Sequence, residues 1–130
     1  MAKTDRQVQS LQMPWEEEYG YAQAVKKGNT VWISGQLGHD DKGNMAEGMD
    51  AQTLKTYGNI KKILENYGMS MDDVVEEVLY VTDMASGFQA RKKYGKQFYS
   101  DPKQIASTMV VISGLAIPGQ LIEIKIVAQV

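Results

Sequence analysis

Residues 121–130 read LIEIKIVAQV, a period-two alternation that no helix can satisfy. Ile122, Ile124, Ile126, Ala128 and Val130 fall on one face of a strand, and Leu121, Glu123, Lys125, Val127 and Gln129 on the other. The first face is wholly apolar and needs a cover of helices. The second mixes aliphatic with charged groups, a surface that a monomer rarely leaves in water. This strand therefore calls for a sheet with one covered and one open side, and the open side is expected to meet other subunits.

The rest of the chain supplies the cover. Leu54, Tyr57, Ile60, Ile63, Leu64 and Tyr67 recur at three- and four-residue spacing and predict a helix over Asp50–Tyr67. Asp50 is expected to cap its start, and Gly68 takes the position just past its end. Ser86-Gly87-Phe88-Gln89 has capping-box form and predicts a second helix running to about Tyr99. Tyr21–Lys26 and Val31–Ser34, joined through Gly28-Asn29, read as a hairpin. Glu77–Asp83, Ile105–Ile112 and Leu121–Val130 read as further strands. Strand, strand, helix, strand, helix, strand, strand predicts an α+β fold, a mixed sheet with both helices packed on one face. Residues 1–18 mix polar residues with Met13, Pro14 and Trp15 and are expected to be loosely ordered, leaving 19–130 as a single domain. Glu16-Glu17-Glu18 reads as solvated surface.

Composition narrows the chemistry. The 130 residues suit one domain, and the absence of cysteine excludes disulfides, thiolate metal sites, iron–sulfur clusters and cysteine nucleophiles. The sole histidine, His39, lies in the turn-rich Gly35–Gly48 loop without a second ligand at a plausible spacing. It is expected at the surface, and neither a metal nor a cofactor is expected. Fourteen Lys+Arg against sixteen Asp+Glu, a net charge of −2, argue against a nucleic-acid partner. No apolar run approaches the ~20 residues that span a bilayer, and MAKTDRQVQS lacks the apolar stretch of a signal peptide. A cytoplasmic protein with no membrane association is the expectation. Carboxylates, tyrosines, hydroxyls, Lys, Arg and backbone groups remain to do any chemistry.

Two features stand out. Glu123 and Lys125 lie roughly 7 Å apart on the open face. They read either as an interface ion pair that fixes register or as a cleft carboxylate tuned by its neighbours for acid–base work. On the second helix, Phe88, Arg91, Gly95 and Phe98 share one face. An arginine between phenylalanines either snorkels to the helix edge or reaches a buried or bound anion.

Several segments in register resemble the Rid (YjgF-like, reactive intermediate deaminase) family. They are Tyr21–Val25, Gly28-Asn29, Ile33-Ser34-Gly35-Gln36, Asn59-Ile60-Lys61, Asp72–Val75, Val81-Thr82-Asp83, Tyr94…Phe98 and Ile122-Glu123-Ile124. Together they cover about residues 19–130. The resemblance implies a chorismate-mutase-like fold and a homotrimer whose sheets form a central barrel, with small-molecule clefts between subunits. Active members of the family hydrolyse enamine or imine acids to keto acids and ammonia. In them an arginine before a Ser/Thr-containing strand pairs with the substrate carboxylate, and here that position aligns with Ala106. The resemblance implies catalytic roles for Glu123 and Tyr21, and substrate contacts from Ser34, Gly35 and Thr108. Arg91, at a helix position where active members commonly carry Asn, is a candidate relocated anion anchor, and Lys125 is another. Two readings follow: a divergent enamine/imine deaminase, or a trimeric small-molecule-binding protein without turnover. A ribonuclease reading suits the acidic charge and lone loop histidine poorly.

Overall fold

The architecture is that of a computed structural model describing residues 5–130. Its elements are β1 (Gln7–Gln9), α1 (Pro14–Tyr19), β2 (Ala24–Lys27), β3 (Thr30–Gln36), α2 (Met49–Asn66), β4 (Val74–Val81), α3 (Met84–Phe98), β5 (Ala106–Val111) and β6 (Ile122–Gln129). The strands form one sheet in the order β1-β2-β3-β6-β4-β5. β4 and β5 are parallel across the α3 connection, and the other neighbours are antiparallel. This is the mixed α+β sheet that the element order predicts.

The alternation of β6 decides the layering. Ile122, Ile124, Ile126 and Ala128 are fully buried in one cluster with Tyr57, Ile60, Ile63 and Leu64 of α2 and Ala90 and Tyr94 of α3. Each buried isoleucine contributes about 2 kcal/mol by transfer from water. Lys125 and Gln129 of the opposite face are exposed, and Glu123 and Val127 are half-buried. Gly68 closes α2 as expected. At φ 73° its N–H donates to the Glu65 carbonyl, while the Met69 N–H donates to Leu64, so the last carbonyls of α2 are satisfied.

Several expectations need correction. Asp50 does not cap α2. The cap is Gly48, and the Asp50 carboxylate accepts from the Tyr94 hydroxyl at 2.7 Å, tying α2 to α3. Leu54 is 41% exposed, and Thr53 and Thr56 take the buried positions beside it. Their hydroxyls donate to the Met49 and Gln52 carbonyls at 2.7 and 2.6 Å, which lets polar residues sit inside. α3 starts at Met84 because Asp83, not Ser86, is its cap, accepting from the Ser86 N–H at 3.0 Å. β4 starts at Val74, with an irregular register against β6 between Val74 and Glu76.

The amino-terminal segment is the largest departure. β1 pairs with β2, and α1 is held by Glu16, which is 8% exposed. Its carboxylate accepts from Ser10 Oγ, the Leu11 and Met13 N–H groups and Gln23 Nε2 at 2.7–3.1 Å. Burial raises the Glu16 pKa, but these donors outweigh it and hold the carboxyl below its ordinary value. Consecutive helical residues point in different directions, so a run of three glutamates can turn one inward. Residues 1–4 of the segment lie outside the described residues. His39, expected at the surface, is 3% exposed, with Trp15 of α1 packed edge-on against it at 5.3 Å. Its burial follows from the amino-terminal segment folding back over the loop.

Candidate functional site

The open face carries a cavity of about 780 Å³ between α1, β3, β6 and the loop before β6. Its floor is set by an irregular pairing: the β3–β6 register shifts between Ile33, paired with Ile126, and Gln36, paired with Ile124, so Ser34 and Gly35 together stand opposite Lys125. Glu123 crosses directly over Gly35. A Cβ added at Gly35 would clash with the Glu123 carboxyl. Gln120, itself buried, donates to the Ile122 carbonyl at 3.1 Å and reaches Glu123 Oε1 at 3.5 Å.

Electrostatics follow from this packing. Burial pushes the Glu123 pKa above the ordinary carboxylate value, with the Gln120 hydrogen bond offsetting part of the effect. The carboxyl therefore holds a proton to higher pH than an exposed glutamate and can donate as well as accept. Burial, together with the negative charges of Glu16 and Glu123, raises the Tyr21 pKa, so its phenol stays a donor. Ser34 Oγ donates to the Ala22 carbonyl at 2.7 Å and so braces the wall of the cavity.

Tyr21, Ser34, Gly35 and Glu123 thus share one cavity, joined by Lys125. Two other candidates lie elsewhere. Arg91 is on the helix-covered side, where its Nε pairs with Glu77 Oε2. Glu77 is fully buried and also accepts from Tyr57 and Tyr99 hydroxyls at 2.7 and 2.8 Å and from Ser107 Oγ at 2.6 Å. The anion that Arg91 reaches is the chain's own. Charge from Glu77 outweighs desolvation and keeps the guanidinium firmly protonated, while the two phenols, desolvated beside that carboxylate, are raised above the ordinary tyrosine range. Thr108 is exposed on β5; it pairs with Val78, which pairs in turn with Lys125, so Thr108 stands two strands from the cavity.

Other cavity residues carried no sequence signal. Trp15 belongs to the segment expected to be loose and Tyr19 lies just past it, Ile117 and Gln120 belong to a loop, and Trp32 to a strand position with no evident role. Among the described residues, no group of three or more His, Asp or Glu is placed to hold a metal ion, and no helix is long and apolar enough to cross a membrane.

The family described as Endoribonuclease L-PSP matches residues 13–130. The chain belongs to this family, the YjgF-like or Rid proteins. A "3-aminoacrylate deaminase RutC" from Acinetobacter baylyi is 34% identical over 112 residues, 85% of this chain and 86% of that one. A "2-iminobutanoate/2-iminopropanoate deaminase" from Dermatophagoides farinae is 33% identical over 93 residues, 70% of this chain and 72% of its own. Among solved structures, Rv2704 of Mycobacterium tuberculosis, described as a member of the YjgF/YER057c/UK114 family, superposes with a TM-score of 0.84. It is 28% identical, and the match covers 96% of this chain and 99% of that one. The Rid fold, a mixed sheet with two long helices on one side, is the one that the β6 alternation calls for.

Proposed function

We propose that the open-face cavity is a small-molecule site where an imine or enamine acid is hydrolysed to a keto acid and ammonia, completed by neighbouring chains in a homotrimer. The observation that carries this reading is the Glu123 carboxyl, held over Gly35 beside Tyr21 with its proton affinity raised. The deaminase names of the two relatives support it. The chemistry is light. Water adds to the electrophilic C=N carbon, Glu123 takes a proton from it, and a C–O bond forms. The carboxyl returns that proton to nitrogen as the C=N π bond opens, giving a carbinolamine. It then relays the proton of the new hydroxyl to the same nitrogen, so the C–N bond breaks as C=O forms, and ammonia leaves a keto acid behind. Positioning and one tuned carboxyl suffice. In this reading the Tyr21 phenol, which lines the same cavity, orients the water or the nitrogen.

Binding without turnover is the second reading. It is favoured by Ala106, which cannot hold a carboxylate, and by the commitment of Arg91 to Glu77. Ribonuclease activity draws little support from a chain of net charge −2 whose one histidine is 3% exposed. Ammonia release from freshly generated 2-iminopropanoate separates the first two readings. Deamination predicts turnover by the wild type that falls at least tenfold in Glu123→Gln. Activity only in Ala106→Arg would assign the natural protein to binding or to another substrate.

A further inference from the structure

The charge and lining of the cavity bear on which acids it accepts. Among the described residues of the chain, Lys125 is the only cationic side chain lining it. The other cation considered as an anchor, Arg91, is taken up by Glu77 on the opposite side of the sheet. Lys125 and Glu123 share the open face two residues apart, with Cβ atoms about 7 Å from each other. A 2-imino acid whose carboxylate meets the Lys125 ammonium directs its adjacent imine carbon at Glu123. The part of the cavity left for its side chain is the α1 wall. There Tyr19 and Tyr21 stand edge to face at 5.9 Å, with Trp15 and Ile117 beside them. Tyr19 is 87% exposed, so apart from the edge contact with Tyr21 most of its ring is left uncovered by the described residues. In the single chain the cavity measures about 780 Å³, and its walls beyond the Glu123–Lys125 pair are largely aromatic and aliphatic.

We infer that the site selects monocarboxylic acids with an aromatic or large branched side chain, Lys125 holding the carboxylate and the Tyr19–Tyr21–Trp15 wall the apolar body. This rests on the assignment of the cavity as the ligand site, but not on turnover. A single ammonium is a point charge, so it fixes the carboxylate less strictly than a guanidinium fork, and more of the selectivity falls to the apolar end.

Equilibrium binding tests it independently of catalysis. Both tryptophans of the chain, Trp15 and Trp32, line the cavity, so intrinsic fluorescence reports occupancy. Phenylpyruvate and 4-methyl-2-oxopentanoate are expected to bind at least tenfold more tightly than pyruvate. Lys125→Met is expected to weaken phenylpyruvate at least tenfold while leaving its uncharged analogue phenylacetone within twofold, and Lys125→Arg to retain most of the affinity. Unchanged phenylacetone binding also shows that Lys125→Met is folded; if that variant is lost, Lys125→Gln carries the same comparison. Pyruvate binding as tightly as phenylpyruvate, or phenylpyruvate affinity indifferent to Lys125, would overturn the inference. Selective binding with no ammonia released from the corresponding imino acid would instead defeat the deaminase reading and leave this one standing.

Discussion

Glu77 and Glu123 lie on neighbouring strands and face opposite sides of the sheet, and their surroundings give them opposite tasks. Glu77 is enclosed with four donors, so its partners depend on it. Glu77→Ala is expected to lower unfolding stability by about 3–5 kcal/mol in urea titrations, because it strands the Arg91 charge. Tyr99→Phe, which deletes one donor to a charged acceptor, is expected to cost about 1.5–3 kcal/mol. Glu123 is poorly satisfied by comparison. Its folded pKa lies above the ordinary 4.5, so ionising it works against the fold. Below that ordinary value it is neutral in both states and makes no difference; as pH rises through the raised folded value, stability is lost. Glu123→Gln should therefore match the wild type in acid and melt at higher temperature near neutrality, a crossing that thermal scans across pH will show. The alternation of residues 121–130 made the position of Glu123 legible. Glu77 was hidden because its donors come from α2, α3, the residue after α3 and β5, a convergence no local pattern encodes.

Among the elements, the long ones were readable and the short ones were not. α2 and β6 carry enough periodic apolar residues to declare themselves, though both helix starts moved: Asp83 in place of Ser86 caps α3, and Asp50 accepts from Tyr94 instead of capping α2. α1 spans six residues and has no periodic stripe; it exists because Glu16 gathers donors from residues 10–23. Removing that carboxylate is therefore expected to release the element alone. Hydrogen exchange in Glu16→Ala should rise across residues 10–20 while α2 and β6 keep their protection. Acid should do the same to the wild type. The folded pKa of Glu16 is below 4.5, so its contribution is full above that value and is lost as pH falls through the depressed one. Because α1 also walls the cavity, the variant should lose affinity for aromatic acids before it loses its fold.

At the scale of the whole molecule, one side of the sheet is roofed by helices and the other leaves Trp32 43% and Val110 37% exposed. Such a face was foreseeable from β6 alone, and the family resemblance named Tyr21, Ser34 and Gly35 beside Glu123; Trp15, Trp32 and Gln120 were not foreseeable there, since that required α1, β3 and the loop before β6 to be placed. If three chains close this face into a barrel, light scattering will give three times the chain mass. Val110→Asp, a charge on an open-face position of β5 away from the cavity, is then expected to yield monomer with the far-ultraviolet circular dichroism unchanged.

The close approach of Glu123 to Gly35 has a further consequence. The backbone at Gly35 has no positive φ, so alanine is conformationally admissible there, yet its methyl group would occupy the place of the carboxyl. Chain geometry survives such a change; the flexible glutamate yields. One added carbon would leave every acid, phenol and ammonium chemically intact and evict the carboxyl from its post. In this protein, the position of a carboxyl and the carboxyl itself are encoded by different residues, and selection can alter either alone.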